Sequence, residues 1–249
     1  MFEFIEHGRI CEIRMAHPPV NAIGPEFMDG LTSALEEKAS HYRAIVLSGQ
    51  PGMFSAGLDV VRLMQLDHEQ VERFWRQFFR LLQTIGASPV PIASAITGHC
   101  PAGGAVMTIH GDYRVMSHGN YKIGLNEVQV GLVVPPHIQR VLIRLVGKHR
   151  AERLMVAGEL LSPEQALEIG FVDELADGPE DTVERAVDWC KKHTALPRSA
   201  MSQTRSLMRQ DLATNYDDLT QEDVDLFTGV WFSDETQAVM RQVLERLGK

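Results

Sequence analysis

Two loops of small residues have the composition needed to stabilise a negative charge through backbone groups. Residues 54–59 read Phe-Ser-Ala-Gly-Leu-Asp, and residues 101–104 read Pro-Ala-Gly-Gly. Each loop follows an apolar run typical of a buried strand, and the second precedes an apolar run that predicts a helix. Small residues leave backbone N–H groups unshielded, and two such loops that converge would form an oxyanion hole. The bare pattern, however, more often means tight strand-to-helix turns.

Few side chains near these loops could act as an acid or a base. Glu127 is one candidate, although by composition alone such a glutamate is usually a solvated surface residue. We expect Asp59 to cap a helix rather than to contact a ligand. Asp112 stands in an apolar context, and we expect it to be a buried carboxylate with its hydrogen bonds satisfied.

Metal, nucleotide and serine-hydrolase chemistry have little support. The potential zinc ligands are poorly spaced and have no partner cluster. They are His99, Cys100 and His110. The chain contains no GxGxxG, no GxxxxGK[ST] and no GxSxG motif.

The elements that must position these groups alternate between short strands and helices. Apolar and partly β-branched runs predict strands at 2–5, 10–15, 44–48, 91–97, 112–116, near 122–123 and at 171–175. Helical spacing of apolar residues predicts helices over about 27–39, 67–85 and 105–109. The recurring order of strand, strand and helix predicts an α/β fold.

Beyond about Leu196 the pattern predicts helices only. These helices are strongly apolar, with large side chains at Leu207, Met208, Leu212, Leu219, Val224, Phe227, Trp231, Phe232, Met240 and Leu244. Such a tail either packs back on the core or meets another subunit. The sequence leaves this choice open.

Composition excludes several classes of protein. The chain has 249 residues, of which 44% are hydrophobic and 23% charged, as in ordinary globular proteins. A net charge of −9 argues against a nucleic-acid-binding face, and no apolar run approaches the roughly 20 residues of a membrane helix. Three widely spaced cysteines without a CxxC motif favour a reducing compartment. No signal-like run opens the sequence, so we expect a bacterial cytoplasm or, less favoured, the matrix of a mitochondrion.

Taken together, these segments resemble the crotonase superfamily of enoyl-CoA hydratases and isomerases. The resemblance covers nearly the whole chain, through residues 19–22, 54–59, 98–112, 124–131 and the helical tail. Three stretches, 54–59, 98–104 and 123–127, are most similar to the mitochondrial-type Δ3,Δ2-enoyl-CoA isomerases. The resemblance implies a crotonase-like spiral of ββα units over residues 1–195, holding the CoA site and the active site. It also implies a helical oligomerisation region over residues 196–249 that builds trimers, or hexamers of two trimers.

The resemblance also assigns roles to single residues. The backbone N–H groups of Leu58 and Gly103 would form the oxyanion hole, and Glu127 would be the catalytic carboxylate. Hydratases use a further glutamate three residues after the second donor, where this chain has Val106. Adding water needs two acid/base groups, whereas moving a double bond needs one group that reaches both carbons. The sequence therefore predicts an isomerase that converts 3-enoyl-CoA to trans-2-enoyl-CoA.

The same resemblance implies where the substrate binds. The CoA thioester is the substrate, and neither a metal nor a redox cofactor is expected. Contacts with CoA are predicted at Pro19, Val20, Ala22, Ala56, Gly57 and Arg62, the last as a candidate for the phosphates. The acyl pocket is predicted at Val106, Leu132 and Val133, where apolar surroundings would raise the pKa of Glu127.

Other functions remain open at this point. The chain could be another crotonase enzyme, such as a hydratase, a dienoyl-CoA isomerase or a thioester hydrolase. It could also be a non-catalytic member that binds acyl-CoA or RNA. Val106 argues against the hydratase, and the acidic net charge argues against RNA.

Overall fold

A computed structural model describes residues 1–246 and 248 of the chain. Within these residues there are nine strands: β1 (Phe2–His7), β2 (Ile10–Met15), β3 (Ala44–Ser48), β4 (Gly52–Met53), β5 (Ile92–Ile96), β6 (Gly98–Pro101), β7 (Tyr113–Ser117), β8 (Ile123–Gly124) and β9 (Glu174–Ala176). The first seven helices are α1 (Pro25–His41), α2 (Val60–Leu63), α3 (His68–Gly86), α4 (Gly103–Ile109), α5 (Pro136–Val146), α6 (Lys148–Ala157) and α7 (Pro163–Glu168). The remaining helices are α8 (Pro179–Thr194), α9 (Arg198–Met208), α10 (Gln210–Ala213), α11 (Gln221–Trp231) and α12 (Asp234–Arg246), and a 3₁₀ turn spans Glu127–Val130.

The strands form two sheets that are built by one repeating unit. The larger sheet has the order β1-β2-β3-β5-β7-β9, and the smaller has the order β4-β6-β8. In the pairs β3/β4, β5/β6 and β7/β8, the first strand joins the larger sheet and the second joins the smaller one. Apart from the antiparallel hairpin β1/β2, the ladders are parallel. The three loops that follow β4, β6 and β8 therefore come together at one edge of the smaller sheet.

Strand β3 shows why a continuous apolar run in the sequence predicts a buried strand. All five of its residues are buried, and their side chains alternate between the two faces of the sheet. Ala44 and Val46 belong to a small cluster under helix α8, while Ile45 and Leu47 belong to the main core. A run that is buried on both faces shows no polar alternation, which is typical of a parallel strand.

Most predicted elements are confirmed, including the strands at 2–5, 10–15, 44–48, 91–97 and 112–116, and the long helix α3. This helix begins at a capping box, in which Asp67 accepts from the Gln70 N–H and the Gln70 side chain accepts from the Asp67 N–H. Asp59 caps α2 as expected, accepting the Arg62 N–H at 3.0 Å.

Two short strands, β4 and β6, lie in segments that the sequence pattern predicts as loops. They are rich in glycine because the backbones approach each other closely. A Cβ atom at Gly98 would lie 1.9 Å from the Gly52 carbonyl carbon. Glycine marks loops more often than strands, so the pattern conceals this pairing.

The last predicted strand is displaced along the chain. Strand β9 begins at Glu174, whereas the pattern placed the strand at 171–175. Phe171 and Val172 are buried, but their N–H groups both donate to the Ala166 carbonyl and close a turn after α7. An apolar run that is buried without ladder pairing has the same sequence pattern as a buried strand, which explains the difference.

The helices after residue 195 pack on the core of the same chain. Helix α11 lies against α3, and Trp231 is 1% exposed. Helix α9 differs, since it buries no residue and exposes Leu207 and Met208. The predicted oligomerisation region of 196–249 thus contains helices that complete the fold, and its Leu247 and Lys249 lie outside the described residues.

Two further observations concern the cysteines and the membrane-spanning potential of the helices. Cys11, Cys100 and Cys190 are buried free thiols. Of the helices in the described ranges, none has both the length and the apolar character required to cross a membrane.

Candidate active site

The loop after β4 is held by a network centred on Asn21. Asn21 has a positive φ of 50°, and its side-chain amide donates to the carbonyls of Met15 and Phe54. The Ser55 hydroxyl donates to the Asn21 carbonyl at 2.7 Å and accepts the Gly57 N–H at 3.1 Å. These bonds fix the course of the loop up to Gly57, immediately before the predicted oxyanion donor.

The backbone N–H of Leu58 points away from Ile23, the residue with which this loop pairs. The Ile23 N–H donates to the Gly57 carbonyl, and the Asp59 N–H donates to the Ile23 carbonyl. In such a parallel bridge the intervening N–H faces the opposite side. Across residues 1–246 and 248, no hydrogen-bond acceptor is found for the Leu58 N–H.

The loop after β6 presents a second N–H for which the described residues provide no acceptor. Ala102 holds a positive φ of 47° and precedes α4, whose first intrahelical bond runs from the Val106 N–H to the Ala102 carbonyl. The N–H of Gly103 therefore belongs to the unpaired donors of the first helical turn. The unusual backbone conformation of Ala102 turns the chain so that residues 101–104 lie beside the loop of residues 54–59.

Contact between the two loops depends on glycine. Gly57 has a φ of 87°, and a Cβ atom there would lie 3.2 Å from the Gly103 nitrogen and 3.1 Å from the Ala102 Cβ. A Cβ atom at Gly103 would lie 3.3 Å from Leu58 Cδ2. The loops are thus in van der Waals contact, and the two predicted donors, Leu58 and Gly103, line one cavity.

Glu127 opens the 3₁₀ turn after β8 and lines the same cavity. The turn is closed by the Leu132 N–H, which donates to the Glu127 carbonyl at 3.0 Å, and it ends at Gly131 with a φ of 76°. On the side of α6, a Cβ atom at Gly158 would lie 2.8 Å from Gln129 Cγ. The backbone of Gly158, which has a φ of 61°, therefore packs closely against the turn that carries Glu127.

The environment of Glu127 favours a base that works near neutral pH. Its Oε2 atom is buried and has no hydrogen-bond partner within the described part of the chain. Burial raises the pKa of Glu127 from 4.5 to about 7. The adjacent Asn126 also has a buried Oδ1 without a partner among these residues, and it too lines the cavity. A group with donors, such as a ligand or a water, would satisfy both oxygens.

The cavity has a volume of about 180 Å³ and a largely apolar wall. Helix α3 contributes Trp75 and Phe78. The loop beyond Glu127 contributes Leu132 and Val133, the two residues for which the sequence analysis proposes an acyl pocket. Such a wall suits a hydrocarbon chain, and it accounts for the raised pKa of Glu127.

The cavity also has a wall that the sequence did not predict. Helices α11 and α12 contribute Phe227, Val230, Trp231, Met240 and Val243. Phe227 and Trp231 stand four residues apart and face the same side of α11. This spacing was visible in the sequence, but it does not distinguish a pocket wall from a buried face of the core.

Not every predicted site residue lies at the cavity. Val106 is 1% exposed and belongs to the main core, so the acyl-pocket position predicted for it is not seen. Ala56 lines the cavity, and the Val20 carbonyl accepts the Ala56 N–H at 3.0 Å. Pro19 and Ala22 flank that contact without lining the cavity, and Arg62 is exposed on α2.

The remaining candidates have structural roles. Asp112 is buried between Arg205, at 2.7 Å, and Arg209, at 3.4 Å. Burial alone would raise the pKa of Asp112, but the hydrogen bonds and charge of Arg205 hold it below 3.8. His110 is fully buried between the Val106 carbonyl and the Tyr216 hydroxyl, and burial lowers its pKa to about 4. Over the residues that the structure describes, no three His, Cys, Asp or Glu side chains are grouped as a metal site would require.

Comparison with known families agrees with this arrangement. The model of the enoyl-CoA hydratase/isomerase family matches residues 6–248. The chain belongs to this family. The match takes in both loops and the turn that carries Glu127.

Individual relatives lie on the isomerase and hydratase sides of the family. The chain is 33% identical over 245 residues to human mitochondrial enoyl-CoA delta isomerase 1, covering 96% of this chain and 80% of that protein. It is 28% identical over 199 residues to a probable enoyl-CoA hydratase of Mycobacterium avium, covering 79% and 77%. The crystal structure of human mitochondrial Δ3,Δ2-enoyl-CoA isomerase superposes with a TM-score of 0.94 at 29% identity, covering 99% and 98%. The crotonase fold expected from the sequence is therefore confirmed.

Proposed function

We propose that this chain is a Δ3,Δ2-enoyl-CoA isomerase, which shifts the double bond of a 3-enoyl-CoA to give the trans-2-enoyl-CoA. One observation carries the proposal: among the residues that the structure describes, one carboxylate, Glu127, lines the apolar cavity together with two backbone N–H groups that have no acceptor. The similarity to enzymes described as enoyl-CoA isomerases supports the same choice.

In the proposed mechanism the thioester oxygen accepts hydrogen bonds from the N–H groups of Leu58 and Gly103. Removing a proton from C2 places negative charge on this oxygen, and these donors stabilise it without reorganising. Each donor would lower the barrier by roughly 3–4 kcal/mol.

Glu127 then performs both proton transfers. As a carboxylate it removes a C2 proton, which gives a dienolate delocalised over C1 to C4. The neutral acid returns the proton to C4, which lies about 2.5 Å from C2, and a carboxyl group at contact distance reaches both carbons. The raised pKa of Glu127 suits both steps, because a carboxylate with a pKa near 7 is a stronger base than an exposed one.

Within the described part of the chain, no carboxylate other than Glu127 lines the cavity, and this argues against hydration. Family resemblance gives hydratases a further glutamate at the position of Val106, a side chain that can neither hold a water nor relay its proton. No metal or redox group is needed, since the reaction moves one proton and leaves the oxidation state of the substrate unchanged.

Substrate binding and assembly complete the proposal. Pro19, Val20, Ala22, Ala56 and Gly57 would line the path of the CoA arm, with Arg62 near the phosphates. The exposed Leu207 and Met208 on α9 favour a contact between subunits in a trimer or hexamer. The buried free thiols favour a reducing compartment such as a bacterial cytoplasm.

Coupled assays of the purified protein on 3-enoyl-CoA and on 2-enoyl-CoA test the proposal. We expect isomerisation of the first substrate and no hydration of the second, with Glu127→Gln inactive. Efficient hydration by the wild-type chain would refute the argument from Val106. Turnover of neither substrate would leave the fold and a binding site, and would refute the reaction.

A further inference from the structure

The turn that carries Glu127 is tied to the C-terminal helix of the same chain. The Thr236 hydroxyl, in the first turn of α12, donates to the Gly131 carbonyl at 2.7 Å. Gly131 closes the 3₁₀ turn, and a Cβ atom there would lie 3.1 Å from Thr236 Cα. Thr236 is 1% exposed, so water does not compete for this bond.

A second residue fixes the direction of the Thr236 hydroxyl. The Ser233 hydroxyl donates to Thr236 Oγ1 at 3.0 Å, and it accepts the Thr236 N–H at 3.2 Å. Because Thr236 Oγ1 accepts from Ser233, its own proton is left for the Gly131 carbonyl. The start of α12 is therefore arranged to donate to the turn.

The same face of α12 also forms part of the cavity. Met240 and Val243 follow Thr236 by four and seven residues, which places the three on one side of the helix. Both line the cavity with Glu127. The Gln237 side chain further donates to the Trp231 carbonyl at 2.8 Å, which fastens α12 to another wall residue.

We propose that Thr236 is a positioning residue for Glu127, and that α12 is thereby part of the active site. Without its donor, the Gly131 carbonyl loses a buried partner, and the hydrogen bond that joins the turn to α12 is lost. A carboxylate that must reach two carbons in turn tolerates little displacement. The inference rests on the proposed function, because it assigns Thr236 a part in the reaction of Glu127.

Two variants of Thr236 and one matched control test this role. Thr236→Val keeps the shape and removes the hydroxyl, and Thr236→Ser keeps the hydroxyl. The control is Thr228→Val on α11, because Thr228 is fully buried and no partner for its hydroxyl is found in the described chain. The control removes a buried threonine hydroxyl without touching the turn.

Steady-state kinetics on 3-enoyl-CoA give the first measurement. For Thr236→Val we expect kcat to fall about tenfold or more while KM changes less than about twofold, since substrate contacts are unaltered. Thr236→Ser should restore kcat to within about threefold of wild type. A Thr236→Val enzyme with the kcat of the Thr228→Val control would overturn the proposal.

Hydrogen exchange distinguishes failure of this inference from failure of the proposed function. Backbone amides over residues 127–132 should exchange faster in Thr236→Val than in wild type, Thr236→Ser or Thr228→Val. If wild type does not isomerise 3-enoyl-CoA, the proposed function fails, and with it the catalytic part of this inference. Unchanged exchange over the turn would overturn the positioning role whatever reaction the enzyme performs.

Discussion

Replacing Glu127 by glutamine should stabilise the folded protein above neutral pH while abolishing its activity. The carboxylate is buried without a partner, so the fold loses free energy whenever Glu127 ionises. Glutamine occupies the same space and carries no charge. A residue that lowers stability in this way is expected where a site is shaped for a reaction rather than for the fold.

The sign and size of the effect follow from the pKa of Glu127. The folded protein has a pKa of about 7 at this group against an ordinary 4.5, so it binds more protons than the unfolded chain between these values. Stability contributed by the neutral acid is therefore full below about pH 4.5 and is lost as pH rises to about 7. At 1.36 kcal/mol for each pKa unit, the full loss is about 3 kcal/mol. Because part of the Glu127 residue remains accessible to solvent although its Oε2 atom is buried, we expect about 2–3 kcal/mol.

Denaturant unfolding at pH 5 and pH 8, at equal protein concentration, measures this difference. The free energy of unfolding of Glu127→Gln should exceed that of wild type by about 2–3 kcal/mol at pH 8 and by less than about 1 kcal/mol at pH 5. The control is Glu152→Gln on the exposed face of α6, which should show no such pH dependence. Equal stabilities of wild type and Glu127→Gln at pH 8 would refute the argument that Glu127 is a desolvated base.

Three further predictions follow from the same structure. The value of kcat/KM should rise with pH around a midpoint of about 7, because only ionised Glu127 accepts the proton. It should be roughly tenfold lower at pH 6 than at high pH, where it becomes constant, and a kcat/KM that does not change with pH would contradict this. Gly57→Ala should lower kcat/KM by about 100-fold, because the added Cβ would lie 3.2 Å from the Gly103 nitrogen. Gly52→Ala, at a matched φ of 86° but with no atom within 4 Å of the added Cβ, should not lower it, and equal losses would point to backbone strain alone. Arg205→Leu should reduce the free energy of unfolding by about 3 kcal/mol, because Asp112 would lose its bidentate partner. If the free-energy changes of Asp112→Leu and Arg205→Leu simply add in the double mutant, the two residues are not coupled and the reasoning is wrong.

The sequence predicted the parts of this molecule that depend on local physical rules. Strand β3 and helix α3 follow from apolar periodicity and from a capping box, both of which are written in neighbouring residues. Resemblance to a family then brought Leu58, Gly103 and Glu127 together, which no spacing along the chain could have done. The structure places all three at one cavity.

Long-range packing explains the parts that the sequence did not predict. Strands β4 and β6 are short and glycine-rich because two backbones meet there, and glycine is read as a loop signal. Val106 was assigned to the acyl pocket from its place in a motif, whereas its side chain is packed in the core. The contribution of Met240 to the cavity depends on a helix that returns to the turn of Glu127, more than a hundred residues away along the chain.

The central claim, that one carboxylate carries the proton between two carbons, is tested most directly by isotope transfer. A 3-enoyl-CoA that carries deuterium at C2 would be converted by the wild-type enzyme in ordinary water, and the product would be analysed at C4. A single buried Glu127 predicts deuterium at C4, because the acid returns part of the label before it exchanges with solvent. Deuterium lost from C2, with only solvent hydrogen found at C4, would contradict a single-carboxylate transfer.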